Sequence, residues 1–352
     1  MVNASRLFRR LVALALSLFC ITAAQAGPYS ALYAFGDSLS DVGNDLHIYG
    51  NAVPRSTIYT DGTNTGRFTN GLNYLDGLSS LLGLGPLAPS ELGGTNYAYG
   101  GARTTYADAP ILSFNDQIAA FDSTHPPGTA DSNALYVLWI GANDMSDAIR
   151  NAAVAIFLGD DPSLVIGAAI GNAMSSIAGA IGNLVGLGAT HFLVPNIPDL
   201  SLTPRIRDLN DPLGASVLAH QVSLAFNDAL AATLNGAFSA LDIRDLDVFG
   251  LLNDIVSDPA GNGFANVTDS CYKGDVDGSD IGAGTGVCGT PGKYVFWDYQ
   301  HPTAATHALL AERAFAAVVP EPPAIWMLVF VMAGVATFAR RRQSRVPALL
   351  PN

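Results

Sequence analysis

Short apolar runs alternate along the chain with longer stretches of helical periodicity. The runs at 31–35, 135–140, 191–194, 242–248 and 294–297 are rich in branched and aromatic residues. Each is followed closely by Gly, Asn, Asp or Pro, so each reads as a strand running into a turn. Helical spacing of apolar positions covers 163–187, 213–239 and 303–318. Strands separated by helices predict βαβ crossovers, and hence an α/β, three-layer αβα sandwich around a mostly parallel sheet. In such sheets ligands sit beyond the carboxyl ends of the strands. Positions 38, 143 and 298 all fall just past such ends, which places them on one rim. The stretch 163–188 carries no charge, yet Asn172, Ser175, Ser176 and Asn183 recur on it at helical spacing. A helix with that polar stripe belongs in a globular domain rather than a bilayer. Residues 254–293 are rich in Gly and Asp and read as loop.

The two ends have different patterns. Residues 1–26 combine Arg6, Arg9 and Arg10, an apolar stretch from Leu11 to Ile21, and the small-residue ending Ala24-Gln25-Ala26. That order reads as an export signal removed from the mature chain; an uncleaved N-terminal anchor is the alternative. At the other end Val319-Pro320-Glu321-Pro322 precedes an uncharged run from Pro323 to Ala339, closed by Arg340-Arg341-Arg342. The run is near the short limit for a membrane helix, with the arginines on the cytoplasmic side. The order resembles the PEP-CTERM sorting signal. That resemblance implies a Gram-negative bacterium, transient anchoring in the inner membrane through the C-terminal helix, processing by an exosortase-type enzyme, and a final place at the cell surface or outside. A plain uncut anchor would look the same in the sequence. The expected organisation is a signal peptide at 1–26, one catalytic domain at 27–318, a sorting segment at 319–342 and a short tail at 343–352.

Charge narrows the partners. The whole chain carries −13, and the part between 27 and 318 is more acidic still, at roughly −19. That argues against nucleic acid and against anionic head groups as electrostatic partners. Of three cysteines, Cys20 leaves with the export signal. Cys271 and Cys288 remain as an even pair in an exported chain, which reads as a disulfide. With no histidine nearby the pair makes a poor zinc site. Asp275-x-Asp277-Gly-x-Asp280 hints at calcium but departs from the EF-hand spacing, so it reads as a solvated loop.

The candidate chemistry lies in two distant segments. Phe35-Gly36-Asp37-Ser38-Leu39-Ser40-Asp41-Val42-Gly43-Asn44 places a serine on a tight turn after the first strand. Asp298-Tyr299-Gln300-His301-Pro302-Thr303 places an acid and an imidazole three residues apart. A serine hydroxyl becomes a useful nucleophile at neutral pH when a neighbouring base takes its proton. Two intermediate blocks, Asn96-Tyr97-Ala98-Tyr99-Gly100-Gly101-Ala102 and Gly141-Ala142-Asn143-Asp144, complete a set of four. With them, residues 31–318 resemble the GDSL esterase/lipase family, also called SGNH hydrolases.

The resemblance implies Ser38 as nucleophile, His301 as base and Asp298 as its acid partner. It also implies an oxyanion hole from the Ser38 N–H, a glycine N–H and the Asn143 amide. Gly101 is assigned, with Gly100 as runner-up. No cofactor or metal is expected. The implied reaction is hydrolysis of a carboxylic ester, whether lipid, simple ester or acetylated sugar. Two other readings stay open: a catalytically silent protein of the surface matrix, and an acyltransferase using the same residues. Asp37, Asp41 and Asn44 are expected to shape the turn, and His47, His125, His191, His220 and His307 to be structural. Loops 45–70 and 104–130 are expected to hold specificity. Tyr49, Tyr59, Phe68 and Tyr106 within them are expected to cover the core rather than line a pocket.

Overall fold

The computed structural model of the chain describes residues 28–208, 214–277 and 286–319. The export signal with Cys20, the sorting run from Pro320 onward, the tail and Asp280 lie outside the described residues.

Four strands, β1 (Leu32–Gly36), β2 (Leu135–Trp139), β3 (His191–Pro195) and β4 (Asp242–Leu246), form one parallel sheet in the order β1-β2-β3-β4. Alternation along the strands explains the layers. Leu135, Val137 and Trp139 of β2 point to one face; Tyr136 and Leu138 point to the other. A strand buried on both sides must be apolar at every position, and β2 is. β4 is one edge strand; its exposed Arg244 and Asp245 make that edge a poor template for further pairing.

The helices are α1 (Asn44–Ile48), α2 (Tyr74–Leu81), α3 (Phe114–Asp122), α4 (Ala142–Leu158), α5 (Pro162–Leu187), α6 (Pro204–Arg207), α7 (Ala215–Ala237), α8 (Val248–Ser257) and α9 (Ala304–Val318). Phe114, Ile149, Ile181 and Phe226 bring α3, α4, α5 and α7 onto one face of the sheet. Leu75, Leu251 and Leu310 bring α2, α8 and α9 onto the other. The three-layer αβα arrangement expected from the pattern is therefore present.

Helix α5 is long and apolar enough to cross a membrane. Its Ala173, Ile177, Ile181 and Leu184 are buried against neighbouring helices, so it is part of the domain. Asp161 caps its start by accepting from the Ser163 N–H, and Gly188, at φ 117°, ends it in a conformation that favours glycine.

Three expectations need correction. The run at 294–297 is not a fifth strand of the main sheet. It forms β6 (Tyr294–Phe296), which pairs with β5 (Asn266–Ser270) in a separate two-stranded sheet. The strand expected at 242–248 stops at Leu246, because Asp247 accepts from the Gly250 N–H and starts α8 there. Residues 254–293 are not all loop: they include the end of α8 and β5. β5 carries exposed Thr268 and Asp269 and finds its partner far away in sequence, so it lacks the usual signal of a strand.

Candidate active site

The serine turn is built by hydrogen bonds to its own short polar side chains. Asp37 Oδ1 accepts from the Leu39 N–H at 3.0 Å, and its carbonyl accepts from the N–H groups of Ser40 and Asp41. Asp41 Oδ1 accepts from the Gly43 and Asn44 N–H groups at 2.7 and 2.8 Å, which starts α1. Gly36 sits where a Cβ would lie 2.2 Å from the Trp139 carbonyl oxygen, so no other residue fits. The Gln117 side chain from α3 brackets that glycine, accepting from its N–H and donating to its carbonyl, both at 2.8 Å. Asp37, Asp41 and Asn44 thus shape the turn, as expected.

The second block reaches the site along the free edge of β1. Ala34 N–H donates to the Thr95 carbonyl, and the N–H groups of Tyr97 and Tyr99 donate to the carbonyls of Ala34 and Gly36. Asn44 Nδ2 donates to the carbonyls of Asn96 and Ala98, and Asn96 Nδ2 donates to that of Ser40. These bonds lock the glycine pair to the serine turn. The Gly100 N–H is directed to Asp41 Oδ2 at 3.3 Å, and a Cβ on Gly100 would strike Phe68. Gly101 has φ 72°, and a Cβ there would meet Ile111 at 3.6 Å and Arg103 at 4.0 Å, both ordinary contacts. Of the two glycines, Gly101 is therefore the one whose N–H is not directed to Asp41.

Asn143 lies in the first turn of α4, just past the end of β2 and next to the strand that carries Ser38. Its Nδ2 donates to the Ala102 carbonyl at 3.0 Å, which fixes the amide and leaves its second N–H. The positive end of a long helix points to the same place.

Asp298 and His301 follow β6. His301 Nε2 lies 2.9 Å from Ser38 Oγ, and His301 Nδ1 lies 2.7 Å from Asp298 Oδ2. Two residues 263 positions apart thus meet, and both are buried. Asp298 is fully engaged: Oδ1 accepts from the Gln300 and His301 N–H groups at 2.9 and 2.8 Å, and Oδ2 also accepts from the Tyr59 hydroxyl at 2.8 Å. Burial acts to raise the Asp298 pKa, but the charge and ring N–H of His301 and the backbone donors prevail. They hold the acid below the ordinary carboxylate range. An ionised Asp298 sets the Nδ1–H tautomer of His301 and leaves Nε2 to accept from Ser38.

Tyr59 had no motif to mark it. It is buried, as expected, but its hydroxyl also touches the acid from 239 positions away. Burial and the Asp298 charge push its pKa far up, so it stays a donor. Phe68 packs on the His301 ring at 5.3 Å between centroids. Tyr106 departs from expectation: it is exposed, stacks on Arg103 and bonds to Asp147. Tyr59, Tyr272 and Trp297 cluster with Cys271, which is bonded to Cys288 as expected. His307 is structural: Nδ1 accepts from the Tyr74 N–H at 3.3 Å, and burial, then the nearby His301, bring its pKa down to about 3. His191 pairs with Asp242 and His220 with Asp199, away from Ser38. Among the described residues no cluster of three or more metal-ligating side chains occurs.

Beside Ser38 opens a cavity of about 430 Å³. Asn143, Ile149 and Ala153 of α4 line one part; Leu252 and Ile255 of α8 and Leu310 of α9 line another. The walls do not come from 45–70 or 104–130, so the expectation about those loops is not met for this cavity.

A hydroxyl, an imidazole and a carboxylate in series, with amide donors nearby, define the arrangement used by serine-type ester hydrolases. The sequence matches the GDSL-like Lipase/Acylhydrolase family over residues 32–314, and the chain belongs to that family, whose members are carboxylic ester hydrolases. It is 36% identical over 267 residues to Lipase 1 of Photorhabdus luminescens, a match spanning 75% of this chain but only 36% of that protein's length. It is 27% identical to a GDSL esterase/lipase of Arabidopsis thaliana, over 91% of this chain and 95% of that one. Among solved structures it is similar to an acetylxylan esterase from Geobacillus stearothermophilus, at a TM-score of 0.41 and 11% identity, covering 85% of this chain and 97% of that one.

Proposed function

We propose that this chain is an exported esterase that hydrolyses carboxylic esters through an acyl intermediate on Ser38. The carrying observation is the continuous series Ser38 Oγ, His301 Nε2, His301 Nδ1, Asp298 Oδ2, at 2.9 and 2.7 Å. Ser38 Oγ attacks the ester carbonyl carbon as its proton passes to His301 Nε2. The carbonyl oxygen takes the negative charge and is met by the N–H groups of Ser38 and Gly101 and by Asn143 Nδ2. Each such donor contributes about 2.7–4 kcal/mol to the transition state. The carbon–oxygen bond to the alcohol then breaks, and His301 returns its proton to that alcohol. Water repeats the sequence on the acyl-serine, releasing the acid and restoring Ser38. Asp298, held by Tyr59 and two backbone N–H groups, steadies the imidazolium.

The cavity beside Ser38 suits an aliphatic acyl chain, since Leu252, Ile255 and Leu310 line it. Residues 1–26 direct export, and the run from Pro323 to Ala339 anchors the chain until exosortase-type processing releases it. The experiment compares hydrolysis of p-nitrophenyl esters by the full chain and by Ser38→Ala. Loss of at least about a thousandfold in kcat is expected. Equal, non-zero rates would remove Ser38 from its assigned role.

A further inference from the structure

Helix α4 begins with Asn143 in the site and ends at an unusual place. Asn143, Ser146, Arg150 and Ala153 follow one another at helical spacing on the face that lines the cavity. The same face runs on into Ile156 and Phe157 at the end of the helix. There the apolar side chains are no longer covered: Phe157 is 87% exposed, and Ile156, Leu158 and Val154 are more than half exposed. Gly159 stops the helix, and across the turn Leu164, in the first turn of α5, is 73% exposed. Large apolar residues seldom collect on a free surface without a partner. This α4–α5 tip is the densest such group among the described residues.

We propose that the α4–α5 tip docks on a neutral or zwitterionic lipid surface and brings the mouth of the acyl cavity to esters held there. The proposal rests on the ester-hydrolase reading above. Three observations favour lipid over a protein partner. The exposed residues continue, at helical spacing, the α4 face that lines the cavity, whose other walls, from Leu251, Leu252, Ile255 and Leu310, are apolar. Asp160 and Asp161 at the turn and the chain's overall negative charge disfavour anionic head groups without opposing neutral ones. The sequence itself carries the uncharged run 323–339 soon after α9, whose composition suits a bilayer.

The test places an environment-sensitive fluorophore at position 157 of the full chain after Phe157→Cys, in a Cys20→Ser background. Ser80, exposed on α2 across the sheet, serves as control through Ser80→Cys. With phosphatidylcholine vesicles the probe at 157 is expected to shift to the blue and to be quenched by lipids carrying a doxyl group, while the probe at 80 does neither. In parallel, Phe157→Asp with Leu158→Ser is expected to raise KM about tenfold for a long-chain ester carried in the vesicles and to leave hydrolysis of a soluble butyrate ester unchanged. No response at 157 to vesicles overturns the proposal. So does a probe already shifted in their absence. A shift that grows with protein concentration marks a second copy as the occupant, and a constant one marks this chain's own apolar tail. Absence of soluble-ester hydrolysis in the unmodified chain would instead defeat the ester chemistry, and the fluorescence result would stand apart from it.

Discussion

Tyr59 completes the coordination of Asp298: with its hydroxyl in place, each oxygen of that carboxylate accepts two hydrogen bonds. Removing a donor from a buried charge costs about 1.5–3 kcal/mol, though neighbouring groups recover part of it. Tyr59→Phe is therefore expected to lower kcat/KM about tenfold with KM little changed; an unchanged kcat would remove Tyr59 from the positioning of the acid. A second residue-level consequence concerns protons. Asp37 is raised to about 7 and Asp45 to about 9, in both cases foremost by burial, with the neighbouring Asp41 adding to the second. The unfolded chain gives up both protons near pH 4. Stability tied to these groups is whole below about pH 4 and is lost as pH climbs through about 7 and then about 9. Asp45→Asn, which mimics the protonated acid, is expected to flatten the upper part of that decline. Its Tm should exceed that of the unmodified chain by a few degrees near about pH 9 and match it near about pH 5. Parallel Tm curves would contradict the assignment.

At the scale of elements, α8 makes one wall of the cavity through Leu251, Leu252 and Ile255. Leu252→Trp is expected to fill that wall and lower kcat/KM for octanoate and longer esters by about tenfold or more, while leaving acetate esters near their original rate; equal losses for both would place the acyl chain elsewhere. This same helix was not legible in the sequence. In the segment 242–248 charged and branched residues alternate across the change from strand to helix at Asp247, and the apolar side chains resume directly after it, so periodicity over so short a stretch gave no boundary. By contrast β1 and β2 were legible, because strands buried on both faces are apolar throughout and end in glycine turns. The serine turn and the Asp298–His301 pair were legible for a different reason: their polar side chains serve the backbone beside them, so the chemistry is written locally. Tyr59 was not, because its contact depends on a fold that joins distant segments. The difference in surroundings between Gly100 and Gly101 was also not legible, since it lies in the packing of Phe68 and the bond to Asp41.

Taken as a whole, the molecule supports its acid from behind with a covalent closure. The Cys271–Cys288 bond, closing a separation of 17 residues, packs with Tyr272, Trp297 and Tyr59 beneath Asp298. Loop closure of that size contributes about 3 kcal/mol in the chain-entropy picture. Cys271→Ser with Cys288→Ser is expected to lower unfolding stability by about that amount, read by denaturant titration; an unchanged midpoint would show that the aromatic cluster holds the segment unaided. Such a bond fits an oxidising compartment, in line with the proposed export. The central claim, that distant segments fold together to make one hydroxyl reactive, is tested most directly by mass spectrometry of the full chain after exposure to a fluorophosphonate. The account predicts a single adduct on the peptide containing Ser38, strongly suppressed in His301→Ala. Folded, unmodified protein that forms no adduct, or one that forms at another residue, would contradict it.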